Sequence, residues 1–367
     1  AADLTVNNAT NFTYDSGSTN TVTITGNSGN TTDIISSNGL DLTDVVLTNI
    51  LSVIIDSGAG QSTLTIDTNT DLSTDPVSVT GGGSDDRILF NETGTYSFAN
   101  HTVIGVSTLV FNGTGANTLR VNQADINDVT TITGNTGVDT ITTNDASIDF
   151  TGITLTSIDN IFTLNGSGTT FTGSSGNDII TGNSGADTFN GSAGNDTHDG
   201  SSDAAADTFK FIAAASNGKD SILNFTAGSG ASGDILNLEG LGLLGNGSTV
   251  TSLDTDISTV AISSGSITSG DTVALLQWVN VVDNASFATE LTSFLGQVNG
   301  TAFETSLVSG DKMVFLFNDN TNSDTSVWHW DDASGDSDGA IDSGELTDVA
   351  TLDGVDITTF DSPTNFA

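Results

Sequence analysis

Between residues 173 and 200 the chain repeats a glycine, a second glycine three positions later and an aspartate two positions after that. The three copies of nine residues read GSSGNDIIT, GNSGADTFN and GSAGNDTHD. The recurring residues are Gly173, Gly176 and Asp178, then Gly182, Gly185 and Asp187, then Gly191, Gly194 and Asp196. Because glycine adopts backbone dihedral angles closed to other residues, each copy can turn tightly and direct carbonyl oxygens inward, beside the aspartate carboxylate. Oxygen ligands of this kind suit calcium.

The nine-residue period also predicts how these turns are arranged. Two copies form one flattened coil of about 18 residues, and successive coils stack at ~4.8 Å, the spacing of neighbouring strands. Asp178 and Asp196 then lie above one another on one edge, and Asp187 lies on the opposite edge. An ion between successive turns would find the ~6 oxygen ligands that calcium prefers. The eighth position of each copy should point into a thin core, and it holds Ile180, Phe189 and His198.

This block resembles the RTX (repeats-in-toxin) family, whose unit is GGxGxDxUx, where U is a large apolar residue. The second glycine of the unit is replaced by Ser174, Asn183 and Ser192 in the three copies. We expect His198 to interrupt the core, and a fourth copy from Gly200 reaches its aspartate, Asp207, late. The resemblance implies calcium binding, export by type I secretion and folding outside the cell.

Isolated copies of the same pattern occur upstream. GNTGVDTIT at 134–142 supplies Gly134, Gly137 and Asp139, and GGGSDDRIL at 81–89 supplies Asp86, with Ser84 in place of the second glycine. We predict that these turns also contribute to metal binding.

A second cation motif lies near the C-terminus, where residues 334–345 read SGDSDGAIDSGE. Compared with the EF-hand loop, Asp336, Asp338, Asp342 and Glu345 occupy ligand positions, whereas Ser334 stands where the first aspartate is expected. The preceding residues predict a β-hairpin and not a helix. The sequence therefore predicts an EF-hand-type calcium loop in a different setting.

The charge of the chain supports a bound cation. Its formal net charge is −41, with only 5 lysine and arginine residues against 46 acidic ones. A chain of this charge is not expected to bind nucleic acid or anionic membranes. Carboxylates at this density repel one another, so folding is expected to require calcium as a cofactor.

Other chemistries find little support. The chain has no cysteine, which excludes disulfides and thiolate metal sites. His101, His198 and His329 lack the paired spacing of a zinc site, and we expect each at the surface or in a turn. The G-x-S-x-G around Ser337 lies within the predicted acidic loop, not between a strand and a helix. We therefore predict no enzymatic activity, and no apolar run is long enough for a transmembrane segment.

The composition predicts the elements that position these turns. Valine, isoleucine, threonine and phenylalanine favour strands, and glycine, asparagine and aspartate favour turns. We predict an all-β chain: stacked β repeats over 1–172, an RTX β-roll over 173–209, and a smaller β-rich module over 210–367. In the first region, segments 42–66, 98–121 and 150–173 align at a period of about 53–56 residues, with turn anchors at Asp56, Asn112 and Asn165. In the last region we predict a helix over 283–298, a hairpin over 312–332 and a type I secretion signal.

Three functions are compatible with this sequence. The first is a non-enzymatic structural protein of the bacterial cell surface that assembles with itself into an S-layer lattice or a surface filament. The second is the C-terminal part of a secreted RTX adhesin, with a ligand such as a cell-surface glycan. The third is the calcium-binding tail of a secreted hydrolase, since the chain lacks an initiator methionine and can belong to a longer protein.

Overall fold

We describe the protein from a computed structural model. The described residues are 3–5, 22–25, 34–37, 40–48, 52–55, 60–68, 78–82, 85–228, 233–241, 273–281, 312–319, 324–332, 343–356, 359–360 and 365–366. The chain divides into two compact units, Ala1–Leu164 and Asn165–Ala367.

The first unit is built from short strands and one helical turn. Its strands are β1 (Asp3–Thr5), β2 (Val22–Thr25), β3 (Ile34–Ser37), β4 (Leu40–Asp41), β5 (Val45–Thr48), β6 (Ser52–Ile55), β7 (Thr63–Ile66), β8 (Ser78–Gly81), β9 (Arg87–Phe90), β10 (Thr95–Ser97), β11 (Thr102–Ile104), β12 (Thr108–Phe111), β13 (Asn117–Arg120), β14 (Thr131–Thr133), β15 (Asp139–Thr143), β16 (Ser147–Asp149), β17 (Thr154–Thr156) and β18 (Asn160–Thr163). The helix α1 is Gln123–Ile126.

Strands of the first unit pair in parallel and recur on three faces. β8, β9 and β10 follow one another along the chain, and each pairs with the strand three places later: β11, β12 and β13. In the following coil α1 replaces a strand and contacts β11. The first unit is therefore a parallel β-solenoid with three strands per full coil.

Alternation of apolar and polar residues explains why these strands stack. Leu64, Ile88, Leu109 and Ile132 stand in register on four neighbouring strands, and none of them is exposed. Fully burying such a side chain stabilises the fold by about 1.5–3 kcal/mol. Each coil thus contributes one layer to a continuous core.

The long repeat predicted for this region is wrong. The structural unit is a single coil: Asn117 and Asp139, 22 positions apart, face each other on β13 and β15. Asn112 follows a strand of a different face from the strand that ends before Asn165, and Asp56 lies outside the described residues. Because apolar pairs recur on every face, segments of similar sequence can contain strands that lie on different faces and do not pair.

The second unit begins with strands of only three residues. Its strands are β19 (Thr170–Thr172), β20 (Ile179–Thr181), β21 (Thr188–Asn190), β22 (Thr197–Asp199), β23 (Thr208–Lys210), β24 (Asp220–Leu223), β25 (Ile235–Asn237), β26 (Val273–Val281), β27 (Lys312–Asp319), β28 (Asp324–Asp331) and β29 (Leu346–Leu352). Helical turns are α2 (Ala214–Asn217) and 3-10 turns at Glu239–Leu241 and Ser343–Glu345.

These short strands form two parallel faces, as the nonapeptide period predicts. One face has the order β19–β21–β23–β25, and the other runs β20–β22–β24–β29. Phe171 pairs with Phe189 on the first face, and Ile180 pairs with His198 on the second. Two nonapeptides therefore make one coil of a two-faced β-roll.

Stacked rings fill the thin core of the roll. Phe189 lies 5.0 Å from Phe209 between ring centroids, at 8° between ring planes, and 5.6 Å from Phe171. His198 stacks on Phe189 at 5.7 Å. All four rings are at most 1% exposed.

The expectation of a surface or turn position is wrong for His198 and His329, which lie in strands. His101, by contrast, closes a turn in which its amide donates to the carbonyl oxygen of Phe98. His198 is 1% exposed and occupies the eighth position between Ile180 and Ile222, so it continues the core. His329 and His101 are also buried, at 4% and 9% exposure. Polarity alone predicts an exposed histidine, whereas the neutral ring has a shape that stacks well on phenylalanine.

Antiparallel strands complete the second unit. β29 pairs with β28, and β28 pairs with β27 as the predicted hairpin, joining Phe315 to Trp328. β27 also pairs in parallel with β26. Near the C-terminus, Phe366 forms a bridge with Leu236, beside Phe360. The helix predicted over 283–298 lies outside the described residues.

Candidate calcium sites

Buried aspartates form a column along one edge of the roll. The backbone amide of Asp178 donates to Oδ1 of Asp196 at 2.9 Å, and the amide of Asp196 donates to Oδ1 of Asp220 at 3.1 Å. Each is at most 5% exposed. The structure therefore places Asp178 and Asp196 on one edge in adjacent coils, as the nine-residue period predicts.

A second column lies on the opposite edge. The amide of Asp187 donates to Oδ1 of Asp207 at 2.8 Å, and the amide of Asp207 donates to Oδ1 of Asp234 at 2.9 Å. These three aspartates are 1–2% exposed. Although Asp207 comes late in the fourth copy, it keeps the register of the column.

Burial makes the ionised carboxylates of both columns unfavourable. Desolvation, together with a smaller effect of neighbouring aspartates, raises the pKa of Asp196 and of Asp207 to about 8. The pKa of Asp220 rises to about 6, again mainly through burial. Desolvation also raises the pKa of Asp178, Asp187 and Asp234. Ionised columns at neutral pH therefore need a compensating positive charge.

The first glycine of each copy makes room for the aspartate of the same copy. A Cβ atom built on Gly173 would lie 2.7 Å from Oδ2 of Asp178, and one on Gly182 would lie 2.5 Å from Oδ2 of Asp187. The corresponding atom on Gly191 would also meet Oδ2 of Asp196. Close approach, and not a left-handed backbone, is thus what requires glycine at the first position.

Glycines at the fourth position differ from one another. A Cβ on Gly185 would collide with the backbone of Gly168, and one on Gly194 would lie 2.5 Å from the carbonyl oxygen of Gly176. Gly194 also has a φ of +134°. A Cβ on Gly176 would meet only Oγ of Ser174, at 3.7 Å. The fourth glycine is needed where the turn of a neighbouring coil stacks directly upon it.

The isolated upstream turns lie in the first unit, and there too a turn amide donates to the aspartate of the same turn. Oδ2 of Asp86 accepts from the amide of Gly82 at 2.8 Å, and Oδ1 accepts from the amide of Ser62 at 2.7 Å. Asp139 likewise accepts from the amides of Asn135 and Asn117. An ion here would compete with these donors for both oxygens.

Close packing also explains the glycines of these upstream turns. A Cβ on Gly134 would lie 2.7 Å from Oδ2 of Asp139. A Cβ on Gly137 would collide with the backbone of Gly115 in a neighbouring coil. Their role in packing is therefore the same as in the tandem copies.

Of the predicted EF-hand-type ligands, Glu345 lies within the described residues. It is 2% exposed, and its Oε2 accepts from the indole Nε1 of the buried Trp330 at 2.9 Å. Asp336, Asp338 and Asp342 lie outside the described residues. The calcium loop over 334–345 therefore stays a prediction.

Two column members are absent from the sequence prediction. Asp220 and Asp234 lie beyond the tandem copies, where the first glycine of the unit is missing. A partial signal exists, since Gly218, Asp220 and Ile222 reproduce the fourth, sixth and eighth positions of the unit. A search for the G-x-D-x-U half of the repeat would find this continuation.

The columns fit a calcium ion. Oδ2 of Asp196 is buried and has no hydrogen-bond partner among the described residues, which leaves one carboxylate oxygen free to bind an ion. Within the described residues, no three His, Cys, Asp or Glu side chains form a metal cluster by themselves. An ion between the turns would take backbone carbonyl oxygens beside the carboxylates, a donor set of hard oxygens that suits calcium.

Comparison with known proteins agrees with this assignment. The family model of the RTX calcium-binding nonapeptide repeat (4 copies) matches residues 165–198, which include Asp178, Asp187 and Asp196. Repeats of this family bind Ca²⁺ and form structural β-roll domains of proteins exported by type I secretion. No curated protein matches the chain, and no solved structure does. Among the described residues, no helix is long and apolar enough to cross a membrane.

Proposed function

We propose that this chain is a non-enzymatic structural protein of the bacterial cell surface, whose second unit folds outside the cell when calcium binds. The observation that carries the proposal is the pair of aspartate columns, Asp178–Asp196–Asp220 and Asp187–Asp207–Asp234, buried on opposite edges of one roll. Carboxylates buried in rows are unfavourable unless cations neutralise them. Calcium is therefore part of the folded structure and not an addition to a preformed protein.

The charge balance explains why folding would wait for export. The chain carries a formal charge of −41, and among the described residues the ion pairs are Lys219 with Asp348 and Lys312 with Asp331. Protein cations therefore neutralise little of the acidic charge. Where free calcium is scarce, burying the columns is unfavourable because their carboxylates must bind protons or repel one another, and where calcium is plentiful its binding free energy becomes folding free energy.

The ligands we propose are the column aspartates together with carbonyl oxygens of the glycine turns. The glycines concerned are Gly173, Gly176, Gly182, Gly185, Gly191 and Gly194. We propose the turns at Asp86 and Asp139 as further sites in the same state as Asp187, because in all three cases backbone amides occupy both carboxylate oxygens. The 334–345 loop is proposed as a separate calcium site.

We further propose that loaded chains assemble with one another into a lattice or filament. Solenoid coils repeat one surface pattern, as in the in-register row of Thr108, Thr131 and Thr154, so that a contact made at one coil can recur at the next. Such repetition favours ordered association between copies.

Electron microscopy of the purified chain tests assembly directly. Ordered arrays or filaments should appear in millimolar calcium and disperse when a chelator is added. Arrays that persist in excess chelator would contradict a calcium-dependent assembly. A protein that stays monomeric in calcium but binds a glycan array would instead favour the adhesin, for which the same threonine row offers hydroxyl groups.

A further inference from the structure

The nonapeptide turns occur in two backbone states that differ at the second residue. In the turns 173–178 and 182–187, which we call closed turns, the amide of the second residue donates to the aspartate of the same turn. Ser174 donates to Oδ2 of Asp178 at 2.7 Å, and Asn183 donates to Oδ2 of Asp187 at 2.9 Å. The amide therefore occupies the oxygen that faces the turn.

The third copy adopts the other state, which we call an open turn. Ser192 has a φ of +70°, in the left-handed region that side chains disfavour. Its amide points away from Asp196 and donates to Oδ1 of Asn190 at 3.1 Å, and its Oγ donates to the carbonyl oxygen of Gly173 at 3.1 Å.

The fourth copy repeats this geometry. Ser201 has a φ of +65°, its amide donates to Oδ1 of Asp199 at 2.9 Å, and its Oγ donates to the carbonyl oxygen of Gly182 at 3.1 Å. Two turns in a row, one on each edge, thus carry the same reversed peptide.

Each open turn combines two unfavourable features. The left-handed serine costs conformational free energy, and the aspartate loses a donor while remaining buried. Oδ2 of Asp196, in a side chain 1% exposed, has no hydrogen-bond partner. A cation at this oxygen would offset the loss, whereas in a closed turn the amide N–H would repel it.

We infer that the second residue of each nonapeptide positions the aspartate for calcium: the turns 191–196 and 200–207 already hold the ion-binding conformation, and the turns 173–178 and 182–187 reach it by reversing the peptide before residues 174 and 183. The inference rests on the proposed calcium-dependent function and specifies how its sites become competent. It also accounts for the glycine at this position in the family unit, since glycine adopts a positive φ at the least cost.

The matched test compares Asn183→Gly with Ser184→Gly in the full chain. Among the described residues Asn183 bonds through its backbone amide and not through its side chain, so the substitution mainly lowers the cost of a positive φ at the second position. Ser184 is exposed, one residue further along the same turn. Asn183→Gly should tighten calcium binding about fivefold, measured by competition with a calcium indicator, and Ser184→Gly should leave it unchanged.

Backbone coupling constants from NMR on the calcium-loaded protein provide a second readout. Residues 174 and 183 should show positive φ when loaded, like residues 192 and 201. Ser192→Val should weaken binding, because a β-branched residue is especially unfavourable at positive φ.

The outcomes separate this inference from the proposed function. If calcium binds but residue 183 keeps a negative φ and Asn183→Gly behaves like Ser184→Gly, the two-state turn is wrong and the calcium function stands. If neither the parent chain nor any variant responds to calcium, the proposed function itself fails.

Discussion

The backbone amide of Asp178 donates to the carboxylate of Asp196 across 2.9 Å, although 18 positions separate the two residues in the chain. The same bond joins Asp196 to Asp220 and, on the other edge, Asp187 to Asp207 and Asp207 to Asp234. Each of these carboxylates therefore accepts a hydrogen bond from the preceding coil and also lies beside the glycine turn of its own coil. Folding and the proposed ion binding thus use the same side chains.

Replacing a column aspartate should weaken calcium binding more than it perturbs the apolar core. We expect Asp196→Asn to lower affinity about tenfold or more, because it removes one charged ligand from a site that depends on ligand charge. Asp353→Asn, which changes an exposed aspartate outside both columns, is the control. Calorimetric titration measures both, and equal affinities for the two variants would contradict the assignment.

Acid should partly replace calcium. Asp196 and Asp207 have a pKa of about 8 in the fold against 3.8 as the ordinary value, so the folded state binds more protons than the unfolded chain between these values. Stability of the calcium-free protein should therefore rise as the pH falls from about 8 to about 6.5.

Below pH 6.5 the buried histidines act against this gain. Burial lowers the pKa of His198 and of His329 from 6.5 to about 4, so the unfolded chain then binds more protons at these two residues. Urea unfolding in calcium-depleted buffer measures the profile. A calcium-free protein that gains stability from pH 6.5 to pH 8 would contradict the raised aspartate pKa values.

Two fourth-position glycines should respond very differently to alanine. Gly185→Ala places a methyl group against the backbone of Gly168 and should destabilise the loaded protein by about 2 kcal/mol or more. Gly176→Ala meets only Oγ of Ser174 at 3.7 Å and should be tolerated. Thermal unfolding in saturating calcium distinguishes them, and similar losses at both positions would show that stacking is not what requires glycine.

Replacing the buried His198 should stabilise the protein. Within the described part of the chain, the buried Nε2 of His198 has no hydrogen-bond partner, and its partners in register on the neighbouring strands are Ile180 and Ile222. His198→Ile should stabilise the calcium-loaded fold by about 1 kcal/mol, since it removes an unsatisfied polar atom from a row of apolar side chains. Phe189→Ala, in the same core, should cost about 3–5 kcal/mol. A loss of stability in His198→Ile would show that ring stacking outweighs the buried nitrogen.

The sequence predicts the parts of this structure that depend on local spacing. A period of nine residues requires a coil of 18, and this coil orders Asp178, Asp187 and Asp196 on two edges. By contrast, nothing local distinguishes the three-faced coil around Asn117 from the two-faced coil around Phe189, because both use short alternating strands. The columns extend to Asp220, which half of the motif signals, and to Asp234, which lacks the glycine of the fourth position and joins its column through pairing with a later strand. The orientation of the peptide at Ser192 likewise depends on partners in a neighbouring coil, such as Gly173.

The aspartate columns also set a rule for how long such a roll can grow. Along each edge the carboxylates repeat at about the interstrand distance, ~4.8 Å, well within the screening length of physiological salt, ~8 Å. Each edge is therefore a line of charge in which every added coil is repelled by its nearest neighbours, and this repulsion offsets part of the apolar burial that the coil contributes. Divalent counterions along the line remove this penalty, so the supply of calcium, and not the size of the core, limits how many coils of this kind a chain can stack.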